Sequence, residues 1–166
     1  MQSEMRTVVV GVGNDFRRDD GVGWAVVEKL RSRACFDALP SGTELRICGG
    51  DPVRLIEWWE GADLAVVIDA ACVHPGHPGR VHRTELGARP PSRTATASSH
   101  GFGPGEAWSL ARVLGRLPHQ LVVYAVEVAD ISVGRGLSPV VAAAVDSVAD
   151  RVICEIERHR GGLEVS

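Results

Sequence analysis

The chain has no Cys-x-x-Cys pair, no Gly-x-Ser-x-Gly elbow, no His-Glu-x-x-His helix and no Gly-Lys-Ser or Gly-Lys-Thr tripeptide. These absences exclude a thiolate zinc site, an α/β-hydrolase serine nucleophile, a zincin centre and a phosphate-cradling P-loop. Cys35, Cys48, Cys72 and Cys154 are widely separated, which predicts reduced, mostly packing thiols rather than a disulfide framework. No charged, apolar and small-residue succession of the signal-peptide kind opens the chain, and no apolar run reaches about 18 residues. A cytoplasmic protein with no membrane association is therefore expected. Lys29 is the only lysine among 18 basic residues, and a net charge of −3 gives bulk electrostatics no hold on nucleic acid.

What is present begins at Thr7 to Val10, an apolar run that reads as a strand covered on both faces. It breaks into Gly11-Val12-Gly13-Asn14 and then Asp19-Asp20-Gly21-Val22-Gly23. Gly-x-Gly after a strand opens a dinucleotide fingerprint, but Phe16 stands where the third glycine is needed. Asp19 and Asp20 would also repel a pyrophosphate approaching the next helix.

Strands and helices alternate from there on. A helix is predicted over about 22–32, with Val22, Val26 and Leu30 on one stripe. A strand follows over Thr43 to Cys48, and then a helix from Pro52 through Trp59, ended by Gly61. Leu64 to Ile68 is a short apolar strand that is expected to stop at Asp69. The stretch from Val73 to Ser98 is rich in turn formers, with Val81 to Thr84 as a short strand or hairpin arm. Helical spacing returns at Ala107, Leu110, Ala111 and Leu114. Leu121 to Val128 is a strand, and a last helix is expected from Ser138 as N-cap and Pro139 to about Arg158. The expected fold is α/β: a single three-layer domain over residues 1–166, with a largely parallel twisted sheet of about five strands and helices on both faces. If the strands ending at Gly11 and Asp69 are central, their carboxyl ends flank a topological switch point, where open sheets bind ligands.

The first loop resembles the N-terminal signature of the hydrogenase maturation proteases. Val66-Val67-Ile68-Asp69-Ala70 is similar to that family's strand ending in aspartate, Ser99-His100-Gly101 to its histidine segment, and Gly49-Gly50-Asp51 with Leu55 to its second loop. Gly136-Leu137-Ser138-Pro139 resembles the start of its last helix. The resemblance implies an endopeptidase that trims the C-terminal extension of a nickel–iron hydrogenase large-subunit precursor. It also implies that Asp20, Asp69 and His100 form the catalytic site and are the metal ligands. The nickel is implied to arrive seated in the precursor rather than as a permanent protease metal, and the partner is that precursor, met by a monomer. The family often has glutamate where this chain has Asp20, one methylene shorter, which leaves open a share for Asp19. By type, these oxygen and nitrogen donors suit nickel, zinc or manganese. Nickel as Lewis acid or water activator, and nickel as a positioning ion beside a carboxylate base, are both compatible with the residues. A non-catalytic nickel-checking or precursor-binding module on the same fold is the alternative.

Each residue also has a plainer reading. Asp19 and Asp20 can cap the following helix, and His100 can be a solvated loop histidine. Asn14 is expected to hold its turn by side-chain hydrogen bonds, and Asp51 to cap the Pro52 helix. Glu127 either faces the crevice or pairs with an arginine. His74, His77 and His82 make a rival metal loop, although a Pro-Gly loop fixes no shared face. Trp58, Trp59 and Trp108 read as core or partner-facing surface. Arg151, Arg158 and Arg160 with Glu155 and Glu157 read as a solvated helix face.

Overall fold

A computed structural model describes residues 4–87 and 103–164. Five strands form one sheet: β1 (Thr7–Val12), β2 (Thr43–Cys48), β3 (Leu64–Ala71), β4 (Val81–Leu86) and β5 (Gln120–Glu127). Their order is β2-β1-β3-β5-β4; every pairing is parallel except that of β4 with β5. The helices are α1 (Val22–Ala34), α2 (Pro52–Trp59), α3 (Pro104–Leu114), α4 (Pro139–Ala142) and α5 (Val145–Glu164).

The placement of the helices follows from handedness. The chain moves outward from β1 to β2 and then back across β1 to β3, so equal right-handed crossovers put α1 and α2 on opposite faces. Two buried clusters record this. One packs α1 and α5 through Val26, Val27, Leu30, Val152 and Ile156 against Val66, Ile68 and Tyr124. The other packs α2 and α3 through Leu55, Trp59, Ala107 and Trp108 against Val8, Val10, Val67 and Leu121. The tryptophans Trp59 and Trp108 are thus core, and every residue of β1 and β3 is buried.

Two boundaries differ from the sequence expectation. Strand β3 continues past Ile68 to Ala71, so Asp69 lies within the strand, paired with Ala125, and not in a loop. The cause is non-local: β5 runs on to Glu127 and supplies backbone partners, whereas the β1 pairing stops at Gly11 with Ile68. The C-terminal helical run is broken between α4 and α5, where the Ala144 N–H bonds back three residues to the Val141 carbonyl, and it extends to Glu164. None of the described helices is long and apolar enough to cross a membrane.

Candidate active site

Beyond the Gly11–Ile68 pair, β1 continues only with β2 and β3 only with β5. The carboxyl edge of the sheet is therefore split between β1 and β3, which is the switch point. Helix α1 closes on this split at contact distance. A Cβ built on Gly23 would lie 2.5 Å from the Ile68 carbonyl oxygen and 2.7 Å from that of Val12. Glycine is required there by backbone approach, not by turn geometry.

The loop entering α1 folds back over the same split. Gly13, at φ 152°, sends its N–H to the Cys48 carbonyl, and any side chain on it would collide with the Asp20 carbonyl oxygen. Asn14 receives the Phe16 N–H on its side-chain oxygen at 3.0 Å, the turn-holding role expected of it. Its own N–H reaches the Asp20 carbonyl. Arg18 to Gly21 make a 3-10 turn that carries both Asp19 and Asp20 into the interior, each 0% exposed.

The two neighbouring aspartates are not equivalent. Asp19 turns toward the segment after β5: its carboxylate accepts the N–H groups of Ala129 and Asp130 at 3.0 and 2.9 Å and that of Ser138 at 2.6 Å. It also accepts the Ser138 hydroxyl at 2.8 Å. Asp19 caps no part of α1, whose N-cap is Gly21 without a side-chain bond, and Ser138 spends its hydroxyl on Asp19 instead of on α4. Both Asp19 oxygens are engaged by this segment.

Asp69 is 3% exposed, and its Oδ1 accepts the Ala70 N–H at 2.8 Å. Strand alternation puts it on the face of Ala65 and Val67, the face covered by α2 and α3. The Cys72 thiol is subject to the charge of both acids. Burial pushes its pKa up, and the negative charges of Asp20 and Asp69 both add to the rise, while Arg17 opposes it. One thiol is thus in the field of both carboxylates, Asp20 of the 3-10 turn and Asp69 of β3. The Cys48 thiol is raised by burial and is also within the field of Asp69. Cys72 was not singled out from the sequence; a cysteine three residues past Asp69 carries no signal until the strand end is known. His100 lies outside the described residues.

The remaining candidates sort by their partners. Asp51 caps α2 by accepting the Val53 N–H at 3.0 Å, as expected. Glu127, 3% exposed, accepts His82 Nε2 at 2.8 Å and the His77 N–H at 3.0 Å, with Arg80 at 3.8 Å. Those donors, the His77 amide foremost, hold its carboxyl below the usual range despite burial. His77 and His82 are thereby organised around a carboxylate, and among the described residues no three His, Cys, Asp or Glu side chains are grouped to hold a metal ion. Glu155 departs from the expected solvated face: it is buried and grips Arg83 through both oxygens at 2.8 Å. All four cysteines are free, and Cys35 and Cys154 are exposed rather than packed.

A family model described as HycI, hydrogenase maturation protease, matches residues 25–155. The Hydrogenase 2 maturation protease of Escherichia coli (strain K12) is 26% identical over 160 residues, covering 96% of this chain and 94% of that protein. The hydrogenase expression/formation protein HupD of Bradyrhizobium diazoefficiens is 31% identical over 128 residues, 76% of this chain and 64% of its own length. Among solved structures, the hydrogenase maturating endopeptidase HYBD from E. coli superposes with a TM-score of 0.79 at 25% identity over 93% of each chain. The solution structure of an endopeptidase from E. coli superposes with a TM-score of 0.77 at 26% identity, covering 89% of this chain and 90% of that one.

Proposed function

This chain belongs to the hydrogenase maturation protease family, and on that premise we propose that it removes the C-terminal extension of a nickel-loaded hydrogenase large-subunit precursor. The observation that supports the reading is that Asp20, in the 3-10 turn folded over the split sheet edge, and Asp69, in β3 at that edge, are both buried carboxylates. The family resemblance adds His100, and two carboxylates with one imidazole are hard and borderline donors that suit a divalent ion and leave coordination positions open. The nickel belongs to the substrate: it enters already held by the precursor, whose own ligands complete its shell. The protease holds no permanent metal in this reading.

Burial gives this arrangement its force. Carboxylates shielded from bulk water interact with a divalent cation through a lower effective dielectric than exposed ones. Asp20 and Asp69 therefore discriminate a precursor that carries the ion from one that does not, and the bound ion fixes where the scissile peptide lies against the protease. Held there by Asp20 and Asp69, such an ion would supply Lewis-acid polarisation of the scissile carbonyl or would position the peptide for a carboxylate base; in either case water adds to the carbonyl carbon, the C–N bond breaks and the proton lost by that water goes to the leaving amine. The protein acts in the cytoplasm as a monomer, with neither nucleic acid nor membrane as a partner.

Incubating the protein with nickel-loaded precursor and reading intact masses tests this. The expected product is precursor shortened by one C-terminal peptide, with D20N, D69N and H100A slowed on the order of a hundredfold or more while still folded. Stoichiometric binding of precursor without any cut would identify a non-catalytic nickel-checking module instead. Wild-type rates in the three variants would remove these residues from the site.

A further inference from the structure

The Asp19 carboxylate is used by nothing in the mechanism above, yet it is buried and accepts four hydrogen bonds. It draws four donors from a segment more than a hundred residues away. The segment between β5 and α4 contains no regular structure over residues 128–138, and its backbone includes Gly134 and Gly136 at positive φ. Its amides must find partners outside a ladder. In the turn of residues 14–20, the Phe16 carbonyl accepts the Gly134 N–H at 2.8 Å, while the segment's Gly134 and Asp130 carbonyls accept the N–H groups of Arg18 and Asp19, each at 2.9 Å. Outside this seam, Arg135 stacks over the Phe16 ring at 4.3 Å. The seam ends one peptide bond from Asp20.

We propose that Asp19 is a positioning residue for the cleavage reaction, a latch that ties the 129–138 segment to the 3-10 turn and thereby fixes where Asp20 presents its carboxylate. The proposal rests on the reading of Asp20 as a ligand of the precursor's nickel. Asp20 has its backbone N–H on Arg17 and its carbonyl on Asn14, so its position is that of the turn as a whole. The turn in turn is held from the outside by the seam, and the Asp19 side chain engages both ends of the segment, at 129–130 and at 138. Releasing it lets the turn, and Asp20 with it, relax away from Asp69. Sub-ångström misplacement of a reacting group is costly to turnover, whereas contacts made elsewhere with the precursor are untouched.

The test uses the full chain with Asp19→Asn, which keeps the volume but cannot accept all four donors, and Ser138→Ala, which removes one bond at an accessible residue. Hydrogen exchange on the free protein reads the latch, and steady-state cleavage of nickel-loaded precursor, assayed well below each variant's melting temperature, reads its consequence. Faster exchange at 129, 130 and 138 is expected in D19N, together with a fall in kcat on the order of tenfold or more and KM within about twofold of wild type. S138A should show the same split to a smaller degree, and it carries the test if D19N does not fold. Faster exchange with unchanged kcat would reduce Asp19 to a structural tie and overturn the proposal, as would a change confined to KM. Failure of the wild type to cleave would fall on the functional reading itself and take the proposal with it, so the two failures are told apart by the wild-type arm.

Discussion

Replacing Glu155 with glutamine should cost this protein more stability than any other single carboxylate neutralised on α5, and the cost should depend on pH. The Glu155 side chain is 4% exposed and receives Arg83 through two bonds at 2.8 Å, the Tyr124 hydroxyl at 2.7 Å and Arg158 at 2.8 Å. The Arg83 bonds, followed by those of Tyr124, outweigh burial and hold its carboxyl at about 2, against 4.5 for a free glutamate. The same contact, added to burial, lifts the Tyr124 hydroxyl to about 12. At about 1.4 kcal/mol per unit, and discounting for the exposed rim of Arg83, the depressed value represents roughly 2–3 kcal/mol of folding stability. Because the folded value lies below the unfolded one, that stability is fully present above about pH 4.5 and is lost as the pH falls toward 2. Urea denaturation should therefore place E155Q roughly 2–3 kcal/mol below wild type at pH 7, with a gap less than half as large at pH 3 and an unchanged denaturant slope. A gap under about 0.5 kcal/mol at pH 7, or one that does not shrink in acid, would refute this account of the α5–β4 network.

Two further outcomes probe the site scaffold. Gly23→Ala places a methyl 2.5 Å from the Ile68 carbonyl oxygen, so the melting temperature should fall by an amount equivalent to about 1–3 kcal/mol. Alanine in an unobstructed helix would instead raise it, by about 1 kcal/mol, so a stabilised G23A would show that α1 does not close on the sheet edge as described. Cys72 should react faster with iodoacetamide at pH 8 in D20N, and to a lesser degree in D69N, because removing a negative charge lowers the thiol's raised pKa and increases the thiolate. Equal alkylation rates in wild type and both variants would mean that the two carboxylates do not share its neighbourhood.

What could be read from the sequence was whatever is decided locally. The unbroken apolar runs of β1 and β3 announce strands buried on both faces, Pro52 with Asp51 sets the start of α2, and Gly115 in the left-handed conformation ends α3. The switch point followed from the alternation of these elements, and the role of the first-loop acids came from the family resemblance. What escaped depends on partners far along the chain. Asp69 lies inside its strand only because β5 extends beside it. Glu155 is interior because Arg83, 72 residues away, reaches it. The partners of Asp19 are invisible in a two-residue motif; they are donors at Ala129, Asp130 and Ser138. For Glu127, pairing with an arginine was one of the two sequence alternatives and Arg80 provides it, while the His77 and His82 contacts come from the loop before β4 and from β4 itself.

The central claim is that the precursor's own nickel, met by Asp20, Asp69 and His100, licenses the cut. The most direct measurement is intact-mass analysis of matched precursor samples, nickel-loaded and nickel-free, each incubated with the same excess of wild-type protein, the nickel-free sample in the presence of a strong chelator. Loss of one C-terminal peptide from the loaded precursor alone is the predicted result. Cleavage of the nickel-free precursor at a comparable rate would contradict it and assign the chemistry to residues that need no metal.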